Sequence, residues 1–369
     1  MAEWKECSLG DVITFQRGHD LPKSSMIEGA YPVVGSNGII GYHNEYTTEE
    51  PSITIGRSGN VGKPFIVYGR TWSHNTTLYI KKFNGVDPEF IYYFLKTLDL
   101  SHYAGGSAVP TLNRNHIHTI TIRLPESISE QRAIVKILRK IDEKIDNNTQ
   151  INNNLEQQAQ LLYNNFISTT QLTDTTMSEI IDVRDGTHDS PKAIEVGYPL
   201  VTSKHLLPFG VDIESPNKIS ERDYNKANER SKVDTNDILL SMIGTVGIVS
   251  LVIEEDINFA IKNVGLFKTS KCPKYTYYLL CYLKSRETVQ HIEKCLAGST
   301  QKYISLTELR KMPIAIPSSE KINEFNKLVV PLFSQIINNV NENKALSAIK
   351  DNLLPKLMSG EIDVTNVNF

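Results

Sequence analysis

The chain has 369 residues, 40% hydrophobic and 22% charged, enough for two or three globular units that each bury a core. Its net charge of −3 argues against a protein that coats nucleic acid with a uniformly basic surface. The start, with Glu3, Trp4, Lys5 and Glu6, has no apolar signal region.

The charge is unevenly spread. Residues 51–86 hold Arg57, Lys63, Arg70, Lys81 and Lys82 without an acid; residues 103–124 hold Arg114 and Arg123 without one. Residues 257–286 hold Lys262, Lys268, Lys271, Lys274, Lys284 and Arg286, again without an acid. Such windows point to local positive faces, or to chance clusters on solvated loops. Cys7, Cys272, Cys281 and Cys295 show no CxxC spacing and no histidine at zinc-ligand distance. They read as reduced thiols of a cytoplasmic protein, with no metal site. The longest uncharged stretch, 238–253, is shorter than the roughly 18–20 residues of a spanning helix. Gly244, Thr245 and Gly247 interrupt it, so it reads as two buried strands and a turn rather than a membrane segment.

In chain order, residues 1–125 mix short β runs and turns such as Ser36-Asn37-Gly38 with one clear helix near 88–98. Alternating Ile120, Ile122 and Leu124 then have strand spacing. A helical pattern follows over 126–170. The same order recurs: a β-rich segment over 171–317 with a helix near 273–285, a second helical pattern over 318–362, and a tail, 363–369. The repeat is visible in residues. Pro88-Glu89-Phe90-Ile91-Tyr92-Tyr93-Phe94-Leu95 returns as Pro273-Lys274-Tyr275-Thr276-Tyr277-Tyr278-Leu279-Leu280. Gly106-Ser107 stands as far before Pro125 as Gly298-Ser299 before Pro317, and Met312, Ile314 and Ile316 repeat the strand spacing. A Gly-x-x-Gly loop is shared by 53–62 and 239–247. The fold class expected is α+β: two repeated domains, each a curved, mostly antiparallel sheet with helices, separated by two long helices that pair as an antiparallel coiled coil.

Both helices carry a heptad seam. The first runs Ile134, Leu138, Ile141, Ile145, Asn148, Asn152, Leu155, Ala159, Leu162, Phe166; the second runs Ile322, Phe325, Val329, Leu332, Ile336, Asn339, Asn343, Leu346, Lys350, Leu353, Leu357. Pro331 should kink or break the second. Parallel and antiparallel pairing are both open to helices of equal length. An antiparallel pair brings Asn148 opposite Asn343 and Asn152 opposite Asn339, fixing register; a drifting seam turns them to solvent instead. About 38 helical residues span roughly 57 Å, enough to separate two heads by a full turn of duplex.

Candidate DNA contacts are the polar loops, because phosphates take Arg, Lys and hydroxyls, and base edges take Arg, Lys, Asn, Gln, Ser and Thr. In the first domain these are Arg17; Ser36 and Asn37; Arg57, Ser58, Asn60 and Lys63; Ser73, His74 and Asn75; and Ser107, Thr111, Asn113 and Arg114. In the second they are Arg184 and His188; Ser203, Lys204 and His205, in the place of 36–38; Lys262 and Asn263; and Ser299, Thr300, Gln301, Lys302 and Tyr303. Loop 56–63 also reads as an ordinary hairpin loop. Tyr92, Tyr93, Tyr277 and Tyr278 read as core residues on helices.

The opening Trp4-Lys5-Glu6-Cys7-Ser8-Leu9-Gly10-Asp11-Val12, the Gly56-Arg57-Ser58-Gly59-Asn60-Val61-Gly62 loop, Ser129-Glu130-Gln131 and Leu353-Leu354-Pro355-Lys356-Leu357-Met358-Ser359-Gly360, in this duplicated order, resemble the specificity subunits of Type I restriction-modification systems. The resemblance covers nearly the whole chain. It implies two target-recognition domains that each read half of a bipartite site in double-stranded DNA. It implies helices that dock two modification (methyltransferase) subunits, through which restriction subunits join. No cofactor is expected in this chain; S-adenosylmethionine, ATP and Mg belong to those partners. The second domain departs from the pattern in lacking the opening Trp, where Met177-Ser178-Glu179 stands, and its Arg184-Asp185-Gly186-Thr187-His188 is similar to Arg17-Gly18-His19.

Two other classes compete: an autonomous DNA-modifying enzyme, and a DNA-binding adaptor outside any restriction complex. The chain has no Asn-Pro-Pro-Tyr or Asp-Pro-Pro-Tyr segment for a flipped adenine. Loop 56–63 misses the phosphate-loop pattern in its glycine spacing and in Pro64. Asp142-Glu143-Lys144 mimics a nuclease Asp-x-Lys but lies on the heptad helix. A non-catalytic chain is expected.

Overall fold

The computed structural model describes residues 3–105 and 110–364. The chain forms two compact units, one comprising residues up to Asp146 together with those from Lys344 onward, the other Asn147–Asn343.

In the first unit, Trp4–Ser8 pairs antiparallel with Thr121–Pro125, Cys7 opposite Ile122, and so closes the domain on itself. A four-stranded antiparallel sheet runs in the order Ile13–Arg17, Thr77–Phe83, Ser52–Gly56, Pro64–Val67. Ile13 and Phe15 point into the core while Thr14 and Gln16 stand half-exposed, the period-two pattern of a half-buried strand. A smaller sheet orders Gly38–His43, Tyr31–Gly35 and Trp72–Ser73, the last pair parallel. Helix Pro88–Thr97 starts where the Asp87 carboxylate accepts the Glu89 and Phe90 amides at 3.0 and 3.2 Å. It buries Phe90, Ile91, Tyr93, Phe94 and Leu95, each contributing about 1.5–3 kcal/mol. Gln131, fully buried at the start of helix Ile128–Thr169, accepts the Asp87 amide at 2.8 Å and donates to the Pro125 carbonyl at 2.9 Å, tying that helix to the domain.

The second unit repeats this topology. Leu172–Thr176 pairs with Pro313–Pro317; a four-stranded sheet orders Val183–Asp185, Val264–Phe267, Ile238–Ser241, Val249–Leu251; a three-stranded one orders Lys218–Ile219, Tyr198–Val201, Ala260–Ile261, again with one parallel pair. It adds helices Glu221–Ser231 and Arg286–Cys295.

Each unit holds part of both long helices, Ile128–Thr169 and Ser319–Ser359. In the first, Ile134 and Leu138 share a core with Leu354, Leu357 and Met358; in the second, Ala159 and Tyr163 share one with Phe325, Val329, Phe333 and Ile336. Early residues of one helix meet late residues of the other, so the pairing is antiparallel. The second helix runs unbroken through Pro331, which excludes the break from the expected kink or break. A proline inside a helix costs about 3 kcal/mol through a lost hydrogen bond and a ring clash, and burial of Val329 and Phe333 on either side offsets it.

The seam asparagines meet in two pairs. Asn148 Nδ2 donates to Asn343 Oδ1 at 2.9 Å and to Glu342 Oε2 at 2.7 Å; Asn339 Nδ2 donates to Asn152 Oδ1 at 2.8 Å. Asn148, Asn152 and Asn339 are 1%, 9% and 5% exposed, so they face the partner helix and not solvent. Asn339→Leu is therefore expected to cost about 1–3 kcal/mol by orphaning Asn152, while the double variant N152L/N339L recovers most of the loss. Urea denaturation of the three chains tests this; equal stability of the single variant and wild type would contradict it. Among the described residues no helix is long and apolar enough to cross a membrane.

Candidate nucleic-acid interface

In the first domain three loops converge. At Gly18 any Cβ would collide with the His74 carbonyl, so the chain leaving Ile13–Arg17 runs directly against residues 73–75, with a bridge between His19 and His74. This sets Arg17 and Asp20 beside Asn75: Arg17 lies 3.7 Å from Asp20, and the Asn75 amide donates to the same carboxylate. Loop 56–63 is folded tightly by glycines. Gly59 and Gly62 have φ of 81° and 77°, a left-handed conformation that side chains resist, and the Gly62 amide closes onto the Gly56 carbonyl at 2.8 Å. Arg57 donates its backbone N–H to Thr76 at 2.8 Å and accepts that of Leu112 at 2.9 Å, while Ser58 bridges to Thr111. The Ser36 amide donates to Thr76 Oγ1 at 3.3 Å.

Arg17, Ser36, Arg57, Ser58, Asn75 and Thr111 thus share one face, joined by Asp20 and Thr76. The Arg57 guanidinium is half-buried and donates from Nη1 to the Asn75 carbonyl at 3.4 Å. Desolvation, then the nearby Arg17, lowers its pKa, with Asp20 opposing. Such a fork has donors to spare for an acceptor pair. Asn37, Asn113, Arg114 and Lys63 are exposed, and Asn60 is half-buried. Asn113 also caps helix Arg114–His118 through the Asn115 amide at 3.0 Å. Ser73 is a correction: it is a fully buried strand residue whose hydroxyl meets Thr48 Oγ1 at 2.6 Å. His74 is half-buried, its Nδ1 3.0 Å from Thr76 Oγ1. Ser107 lies outside the described residues.

The second domain reuses this backbone with other side chains. A Cβ at Gly186 would strike the Ile261 carbonyl, and Thr187 bridges to Lys262. Gly244 and Gly247 have φ of 80° and 95°, and Gly247 closes onto Ser241 at 3.0 Å. The Ile304 amide donates to Met242 at 3.0 Å and Ile243 bridges to Tyr303. By these bonds Met242 stands where Arg57 does, Ile243 where Ser58 does, Tyr303 where Thr111 does, and His188 where Asp20 does. His188 Nδ1 lies 2.7 Å from Asn263 Oδ1 and Nε2 lies 2.9 Å from the buried Asp185 carboxylate, which also holds Arg230.

Three expectations are corrected here. Counting back from Gly186 makes Asp185, not Arg184, the positional match of Arg17; Arg184 is taken up by Asp182 at 2.7 Å and the Arg230 carbonyl at 3.0 Å. His205 is 3% exposed and forms a wall rather than a protruding contact. The window 257–286 is no continuous positive face, because acids distant in sequence reach it: Lys268 is buried against Asp237 and Asp234, Lys271 meets Asp182, and Lys284 meets Glu156. Lys204, Ser299, Thr300, Gln301, Lys302 and Tyr303 are exposed, Ser203 and Lys262 half-buried. Asp20 and Thr76, which join the first domain's face, carry no signal in the sequence beyond being polar loop residues. Among the described residues no cluster of His, Cys, Asp or Glu is arranged to hold a metal ion.

A family model described as the Type I restriction modification DNA specificity domain matches twice, over residues 1–157 and 162–351. The specificity subunit of Type I restriction enzyme MjaIX from Methanocaldococcus jannaschii is 29% identical over 313 residues, covering 76% of this chain and 70% of the relative. That of HindI from Haemophilus influenzae is 24% identical over 368 residues, covering 76% and 78%. The crystal structure of a Type I restriction-modification S subunit from M. genitalium superposes with a TM-score of 0.60 at 17% identity, covering 97% of this chain and 96% of that one.

Proposed function

Because the chain belongs to the family of Type I restriction-modification DNA specificity subunits, we propose that it supplies target recognition without catalysis to a complex in which two modification subunits dock on the long helices. Restriction subunits join through the modification subunits. S-adenosylmethionine, ATP and Mg act in those partners, and the complex works in the cytoplasm. Bipartite recognition is supported by one observation above all: the same loop scaffold occurs twice, with Arg57, Ser58 and Thr111 in one copy and Met242, Ile243 and Tyr303 at the same backbone positions in the other. A common scaffold gives both heads the same approach to the duplex. Different side chains make them read different bases. Arg57 is the first head's strongest reader, because its fork suits the two acceptors of a guanine edge.

Arg57→Ala is expected to weaken duplex binding by the assembled complex by about 1–3 kcal/mol. Binding titrations across a salt series measure this; unchanged affinity with an unchanged salt slope would contradict it. Titration of the isolated chain with S-adenosylmethionine should show no binding, and saturable binding would contradict the placing of that cofactor in the partners alone.

A further inference from the structure

The second domain has a cavity of about 300 Å³ beside its parallel strand pair, walled by Lys204, His205, Asn217, Lys262 and Ser190, with Leu200 and Ile219 on the apolar side. No carboxylate lines it. Its chemistry is set by His205. The Thr202 backbone N–H donates to His205 Nδ1 at 2.9 Å, so Nδ1 must carry the lone pair and the ring hydrogen sits on Nε2. Burial, with Lys204 nearby, pushes the imidazole pKa below its ordinary value, which keeps the ring in that neutral tautomer. Nε2 is buried and has no hydrogen-bond partner in the protein, although buried donors are almost always satisfied. Lys204 is exposed at the rim, and Lys262 is held by Ser190 Oγ at 2.6 Å. The lining therefore brings together two lysine side chains and a histidine whose buried N–H has no partner in the protein, a donor-rich set suited to acceptor groups.

The first domain carries other side chains at the matching positions. Its matching strands pair in the same way, Val34 with Ser73 as Val201 with Ile261. There Asn37 stands for Lys204, Gly38 for His205 and His74 for Lys262.

We propose that this cavity is the second domain's own recognition subsite, taking an acceptor-only group of the target duplex: the O6/N7 edge of a guanine or a phosphate oxygen. This rests on the DNA-reading function above. It makes Lys204, His205 and Lys262 specificity or affinity determinants of the second half-site alone.

The test uses the complex assembled from full-length chain and modification subunits, with wild type, His205→Asn and the double variant K204M/K262M. The asparagine Oδ1 can keep the Thr202 cap while the ring donor is lost. The lysine pair decides the matter should His205→Asn fail to fold. Modified sites are mapped by sequencing, and duplex affinity is measured against salt. Tolerance of other bases at one position of the second half-site, with the first half unchanged, supports the subsite and identifies a base. An unchanged motif with at least tenfold weaker binding and a shallower salt slope supports it and identifies a phosphate. Wild-type motif and affinity in both variants overturn it. If the wild-type complex itself modifies no bipartite motif, the failure lies with the parent reading, on which the subsite depends.

Discussion

Replacing Asp237 with alanine is expected to destabilise the second unit by about 3–5 kcal/mol, the usual consequence of stranding a buried charge. Lys268 is 2% exposed and its ammonium is held by Asp237 Oδ2 at 2.5 Å, Asp234 Oδ2 at 2.6 Å and the Lys232 carbonyl at 3.1 Å. Asp237 is itself fully buried and accepts the backbone amides of Asp234 at 2.7 Å and Ser270 at 3.1 Å. Its removal leaves the lysine with the half-exposed Asp234 and frees two part-buried backbone amides. Chemical denaturation of the full chain, with the second unit followed by hydrogen exchange, measures the effect. A loss below about 1 kcal/mol, the range of exposed pairs, would show that the ammonium reaches water and that the pair is not buried in solution.

The largest functional effect of a small change is expected at Gly56. An added methyl there would run into the Asn60 carbonyl, which is backbone rather than the movable end of a side chain. Gly56→Ala must open loop 56–63 and displace Arg57, Ser58 and Asn60 together. Losing even one base contact costs about 1–3 kcal/mol, so the assembled complex should bind its target at least about fivefold more weakly, with methylation falling in step. Gly69→Ala is the control, since nothing lies near its added methyl. Wild-type methylation by Gly56→Ala would mean that loop 56–63 plays no part in reading.

The antiparallel helix pair and the duplicated mixed domains were legible because each leaves a periodic trace: seam residues every three or four positions, and Tyr-Tyr helices and strand runs at matching intervals. Helix Glu221–Ser231 left none. It buries only Ala227 and Ser231, so no apolar stripe marks it. Side-chain roles were less legible still. Ser73 and His205 look like loop residues in the sequence, yet pairing with the neighbouring strand buries Ser73 and the Thr202 cap turns His205 inward. The basic window 257–286 misleads for a related reason, since Asp182, Asp237 and Glu156 neutralise it from outside the window. Charge counted along a chain does not see partners brought in by folding. Conversely, Asp20 and Thr76 organise the first domain's face only because Gly18 and the loop 56–63 bring three separated segments together.

The two-headed reading is tested most directly by sequencing the methylome of cells with and without this gene, beside the same strain carrying Gly56→Ala. The expected result is one bipartite motif, two specified halves around an unread gap, that is methylated in wild type, lost on deletion, and lost or broadened in a single half by the variant. Methylation that is unchanged on deletion, or a motif with no gap, would contradict it.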